Sequence, residues 1–196
     1  MKPKFLRATL LVMTTACLSL TALAQKIKLK EGSLDVLKNE TSINIEFTYD
    51  NMAVGKFDKE ADYVNKKKTE YNAKEAGRGD RWEKAWIDDR KNRFEPNFIE
   101  LFTKHAEMTD SKKAKYTLIF HTTFTEPGFN VYVTRKNASI DAEVLIVETA
   151  NKSNVIAKLT LDNAPGRTFM GNDWDTGERI SESYAKAGKS LGKYIK

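Results

Sequence analysis

Apolar positions along the chain recur first with period two, then with a helical period, then with period two again, and last with a helical period. Residues 26–38 alternate weakly through Gly32 and predict one or two short edge strands that include Leu34, Val36 and Leu37. Ile43, Ile45, Phe47 and Tyr49 share one face of a clearer strand, with Asn44, Glu46 and Thr48 on the other. Phe57, Ala61, Val64 and Tyr71 then fall near one helical stripe, which predicts a helix over 58–75 ended by Gly77-Arg78-Gly79. Asp80-Arg81-Trp82-Glu83 reads as a capping box for the next helix. Trp82 and Trp86 should stack at i,i+4, and Phe94, Phe98 and Phe102 continue the same four-residue step. Pro96 lacks a backbone donor, so the spacing predicts a helix over 80–92, a break or kink, and a shorter helix to 105.

The second half is strand-rich. Tyr116, Leu118, Phe120, Thr122 and Phe124 alternate with Thr117, Ile119, His121 and Thr123. After the turn signal Glu126-Pro127-Gly128, Val131 and Val133 start another strand, 138–149 reads as a long one, and Val155 to Leu161 returns from the turn at Asn151-Lys152-Ser153. Residues 162–174 form the longest irregular stretch, with Pro165, Gly166 and Gly171. Asp175-Thr176-Gly177-Glu178 is a second capping-box pattern, followed by a stripe of Ile180, Tyr184, Ala187, Leu191 and Ile195. Strands and helices are segregated. That predicts a single α+β domain over 25–196: an antiparallel sheet of five to six strands covered by helices, in the order β-β-α-α-β-β-β(-β)-α.

The N-terminal segment has a different pattern. Lys2, Lys4 and Arg7 precede an uncharged, mostly apolar run from Ala8 to Leu20, and Ala22-Leu23-Ala24 places small residues before Gln25. This is the three-part pattern of a secretory signal peptide over 1–24, with too short a core for a membrane anchor. Lipidation at Cys17 is disfavoured, because Thr14-Thr15-Ala16 lacks the Leu three positions back that a lipoprotein signal carries. Cleavage after Ala24 leaves 30 basic and 27 acidic residues, a formal charge of +3 against +6 for the whole sequence. It also removes the only Cys, so an exported protein of this sequence has no disulfide. No later segment reaches the ~20 apolar residues of a membrane span.

The sequence carries no recognisable active site. Its two His, His105 at a helix end and His121 in a strand, lack the clustered N and S ligands of a zinc site, and His121 is expected to be a strand residue with a local hydrogen bond. Counting from Asp173, a calcium loop would need Gly at its sixth position and Glu at its twelfth, but Gly177 stands fifth and Tyr184 twelfth. Gly188-Lys189-Ser190 matches the end of a phosphate loop, yet Ser183 replaces the first glycine and the run lies inside a helix. No dinucleotide fingerprint and no G-x-S-x-G elbow occurs, so no cofactor is implied. Lys66-Lys67-Lys68 reads as a solvated helix face rather than a nucleic-acid groove, and Asp88-Asp89 as solvent-facing. Arg78-Gly79-Asp80 spells a tripeptide some adhesive proteins use, and its plainer role is to turn the chain. The candidate for partner binding is the 162–174 loop, where Arg167, Phe169, Met170 and Trp174 lie among Gly and Pro.

Gly32-Ser33-Leu34-x-x-Leu37-Lys38, the strand Ile43 to Tyr49, the strand Tyr116 to Phe124 and the terminal run Tyr184-Ala185-Lys186-Ala187-Gly188-Lys189 resemble small exported bacterial proteins of unknown function. Their layout is also similar to that of periplasmic auxiliary lipoproteins of envelope transport systems. The resemblance implies a non-catalytic envelope component and carries over no site residues. The expectation is an exported, periplasmic or outer-membrane-associated binding or assembly module, acting on an envelope protein or cell-surface component through a sheet edge or the 162–174 loop. A carboxylate-based hydrolase of envelope polymers is the alternative, which needs two acids facing each other across a cleft.

Overall fold

The computed structural model describes residues 25–131, 134–166 and 176–196. It is an α+β fold with β1 (Lys26–Gly32), β2 (Ser42–Thr48), β3 (Ala53–Val54), α1 (Glu60–Lys74), α2 (Arg78–Asp89), α3 (Glu95–Ala106), β4 (Thr109–Asp110), β5 (Tyr116–Glu126), β6 (Phe129–Val131), β7 (Thr134–Lys136), β8 (Ser139–Glu148), β9 (Asn151–Pro165) and α4 (Thr176–Ile195). Seven strands form one sheet in the order β1-β9-β8-β5-β2-β4, with β3 also paired to β5, while β6 and β7 make a separate hairpin.

The sheet is mixed rather than wholly antiparallel. β5, β8, β9 and β1 pair antiparallel: β8 turns directly into β9, β5 reaches β8 through the β6–β7 hairpin, and β1 joins β9 from the far end of the chain. β2 and β3 pair parallel to β5, and β4 parallel to β2. The helices α1–α3 lie between β3 and β4 in the chain, and a connection of that length carries the backbone across to start a parallel strand. Leu34, Val36 and Leu37 are not in a strand: β1 ends at Gly32, whose φ of 77° turns the chain, and Asp35–Leu37 form a 3-10 turn. The predicted irregular stretch begins too early as well. β9 runs to Pro165, and the Gly166 N–H donates to the Ala138 carbonyl at 2.7 Å.

α2 and α3 form one continuous helical rod through a π-turn at Arg90–Phe94, where the Glu95 N–H bonds to the Arg90 carbonyl five residues back. Pro96 therefore neither breaks nor ends the helix. It directly follows the π-turn, where the wide turn has already departed from the i→i−4 ladder that a proline interrupts. The capping box at Asp80 does not form. α2 starts at Arg78 behind Gly77 in the left-handed region, and Asp80 instead accepts from Asn72 Nδ2 at 3.2 Å and pairs with Lys68 at 3.0 Å. Asp175, the first residue of the second predicted box, lies outside the described residues.

α3 and α4 cover one face of the sheet. Phe98 meets Phe120 of β5 at 4.6 Å between ring centroids and Phe47 of β2 at 5.3 Å, while Tyr184 of α4 stacks on Phe94 at 5.0 Å. The whole predicted stripe of α4 is buried in this layer. α4 approaches α3 closely because of Gly188 and Gly192: a Cβ at Gly188 would lie 2.3 Å from the Phe98 carbonyl oxygen, and one at Gly192 2.7 Å from that of Phe102. The phosphate-loop lookalike is thus a helix-packing feature. The other sheet face carries cross-strand polar pairs, among them Lys152–Glu46 at 2.7 Å, Lys158–Glu143 at 3.6 Å and Thr48 Oγ1 with His121 Nδ1 at 2.8 Å. The last ties His121 to its register neighbour on β2, 73 residues away, where the sequence predicts a local bond.

Candidate functional site

A cleft of about 360 Å³ opens at one end of the sheet. Its first wall comes from the turn after β3. Gly55, with φ of 58°, and Lys56 reverse the chain so that Val54 and Phe57 bridge through reciprocal backbone bonds at 2.9 Å. α1 then presents Tyr63 and Lys67 at i,i+4 to the same space. The second wall is the Pro127-Gly128 turn, Phe129 of β6, Lys136 of β7 and Thr176 at the start of α4.

Buried Glu126 and Arg179 hold this second wall. Glu126 accepts from the Gly128 N–H at 3.0 Å and is ion-paired to Lys136. Arg179, only 3% exposed, donates to the Pro127 and Gly128 carbonyls, each at 3.3 Å. Sequence reasoning missed Arg179. It directly precedes the apolar stripe of α4, and no local pattern tells that its partners lie on a turn about fifty residues earlier.

A buried polar group lies between sheet and helices. Trp86 Nε1 donates to Glu60 Oε1 at 2.5 Å, Arg90 pairs with the same carboxylate, and the Arg90 guanidinium lies 4.2 Å from the Tyr49 ring centroid. Tyr49 donates to Glu95 at 3.4 Å, and Glu95 pairs with Lys91 at 2.7 Å. Burial pushes the Tyr49 phenol well above its ordinary value, with Tyr184 and Glu95 adding to the effect, and burial likewise raises Tyr184, whose hydroxyl bonds Thr122 at 2.7 Å. These groups satisfy one another, and their chemistry is structural.

Two facing acids are not found among the described lining residues of the cleft. Among its described lining residues the single carboxylate is Glu126, already engaged by Lys136 and the Gly128 N–H. Asp35, Glu46 and Asp80 have pKa values displaced downward, by hydrogen bonds to Lys38, Lys152 and Lys68 respectively. No group of three or more His, Cys, Asp or Glu among the described residues could hold a metal ion.

The residues singled out in the sequence are placed as follows. Arg167, Phe169, Met170 and Trp174 lie outside the described residues. Arg78-Gly79-Asp80 is the first turn of α2, and Gly79 is buried with its N–H on Asn72 Oδ1 at 2.6 Å. Lys68 is tied to Glu83 at 2.8 Å and Lys66 to Glu70 at 3.6 Å, as a solvated helix face would be. Asp88 pairs with Lys84, but Asp89 does not face solvent: it packs against Gly177, where a Cβ would lie 1.8 Å from Asp89 Oδ2, and it pairs with Arg93 at 3.1 Å. No helix among the described residues is long and apolar enough to cross a membrane.

The sheet's outer strand β1 carries Lys26, Lys28 and Lys30, and a register shift between Leu29 and Glu31 marks a bulge. Lysines and bulges are the usual means of blocking strand addition at an edge. The opposite edge is closed by two-residue β4 and by Asp110, whose Oδ1 accepts the Ile45 N–H at 3.1 Å.

No protein-family comparison matches the chain, and no curated protein matches it. Among solved structures it is similar to the PelC dodecamer from Paraburkholderia phytofirmans, at 9% identity and a TM-score of 0.37, covering 83% of this chain and 96% of that one. A point variant of the same dodecamer in another crystal form gives 9% identity and a TM-score of 0.35, covering 83% and 97%.

Proposed function

We propose that this protein is an exported, non-enzymatic binding or assembly module of the cell envelope, and that it engages its partner through the cleft between the β3 turn, α1 and the β6–β7 hairpin. The signal-peptide pattern of residues 1–24 supports export. The observation that carries the binding reading is the cleft itself. It is a preformed concavity with aromatic lining and convergent cations, in the size range of ligand sites. Glu126, the one carboxylate among the described lining residues, is already bonded and gives no support to two-acid hydrolysis, and the lysines and bulge of β1 give none to strand addition.

The test is photo-crosslinking in the native host, with the crosslinker at Phe129 in the cleft or at Lys28 on β1, followed by cell fractionation. Crosslinks to one envelope component from position 129 and not from 28 are expected. Crosslinks from 28 alone would move the site to the sheet edge, and a cytoplasmic protein would end the envelope reading.

A further inference from the structure

Granting that the cleft is the binding site, we infer that its ligand is an acidic sugar unit of an envelope glycan, held by charge at the rim and by ring contact on the wall. Lys56 and Lys67 line the cleft, and neither forms an ion pair among the described residues. Lys136, by contrast, is neutralised by Glu126. The lining therefore has an uncompensated positive charge, which an anion complements. The two ammonium groups rest by aromatic rings, Lys56 at 5.7 Å from the Phe57 centroid and Lys67 at 5.7 Å from that of Tyr71, with no carboxylate among the described residues paired to either.

Aromatic surface selects the rest of the ligand. Phe129 is 37% exposed on the facing hairpin. The negative face of an aromatic ring suits the polarised C–H groups of a pyranose as it suits a ring edge.

Backbone recognition is less suited to this site. An extended peptide docks through main-chain hydrogen bonds, and a phosphate nest needs free N–H groups. The Gly55 N–H is bonded to the Thr125 carbonyl at 2.9 Å, the Phe57 N–H to the Val54 carbonyl at 2.9 Å, and the Gly128 N–H to Glu126 at 3.0 Å. What remains for a ligand is two ammonium groups and an aromatic plane, which a carboxylated sugar fits.

The experiment is calorimetric titration of the exported protein, purified from its own host, with trigalacturonate, maltotriose and triglutamate. Trigalacturonate alone should bind. The double variant Lys56→Gln with Lys67→Gln should weaken it about tenfold or more, and Phe129→Ala by a similar factor, since one tenfold step corresponds to a single modest contact. Lys26→Gln, on the distant β1 edge, should leave binding unchanged. Raised salt should weaken the wild type and spare the double variant's residual binding. Equal binding of maltotriose would overturn the charge assignment, and equal binding of triglutamate the sugar assignment. No binding of any probe, with the position-129 crosslink intact, would overturn this inference and leave the module reading standing.

Discussion

At the scale of single residues, the tightest constraints come from atoms that are absent. Replacing an exposed helical glycine with alanine ordinarily stabilises a helix by up to about 1 kcal/mol. At Gly188 the sign reverses, because the new methyl would meet the Phe98 carbonyl of α3. Gly188→Ala should lower stability by about 1–3 kcal/mol, seen as an earlier urea midpoint with an unchanged slope. The buried phenols make a second prediction. Tyr49 and Tyr184 titrate above their ordinary value in the folded state, so their contribution is fully present below pH 10 and is lost as pH rises above it, where the unfolded chain ionises first. Tyr49→Phe should flatten the alkaline fall in melting temperature relative to wild type. A variant as alkali-sensitive as wild type would contradict the burial argument.

At the scale of elements, the π-turn at 90–94 explains why Pro96 misled the helix boundary and why the aromatic stripe is so long. Trp82, Trp86, Phe94, Phe98 and Phe102 lie on a strict four-residue step, and in an α-helix each such step drifts by about 40°. One wide turn takes back about 100° of the roughly 200° that accumulates from Trp82 to Phe102, and the tryptophans pack on α1 while the phenylalanines pack on the sheet. Asn92 is exposed within the turn, so deleting it removes no core side chain. The deletion should turn 90–94 into regular α-helix and leave Phe98 and Phe102 on β5 with cooperative thermal unfolding, whereas inserting one alanine beside Asn92 should rotate α3 by about 100° relative to α2 and abolish that cooperativity. The spacing itself was legible in the sequence, and so were the stripe of α4 and the hairpin of β8 and β9, because each is a local periodicity. The parallel pairing of β2 with β5 was not. Residues Asn44–Thr48 and Thr117–His121 meet across a long helical connection, and no local pattern sets their direction. The cleft was illegible for the same reason: Lys56, Lys67, Phe129 and Thr176 come from four separate parts of the chain.

At the scale of the whole molecule, charge decides how the fold responds to its surroundings. Asp35, Glu46 and Asp80 all have folded pKa values below their ordinary ones, through hydrogen bonds from Lys38, Lys152 and Lys68. Groups of that kind stabilise the fold above their unfolded pKa and lose that contribution as pH falls through the folded value. The urea midpoint should therefore drop as pH falls below about 4.5, the ordinary value of Glu46, and Lys152→Gln should make the drop shallower by removing the main partner of Glu46. An acid response unchanged by that variant would remove Glu46 from the account.

The bulged lysine row of β1 also governs how copies of the molecule behave toward each other. A sheet with an open edge is a template, and crowding ordinarily turns templates into fibres. Here one outer strand meeting another would bring Lys26 and Lys30 against like charges along an irregular backbone, which disfavours pairing. Concentrated copies of such a protein should therefore stay apart at this edge, the sheet remaining inert toward itself.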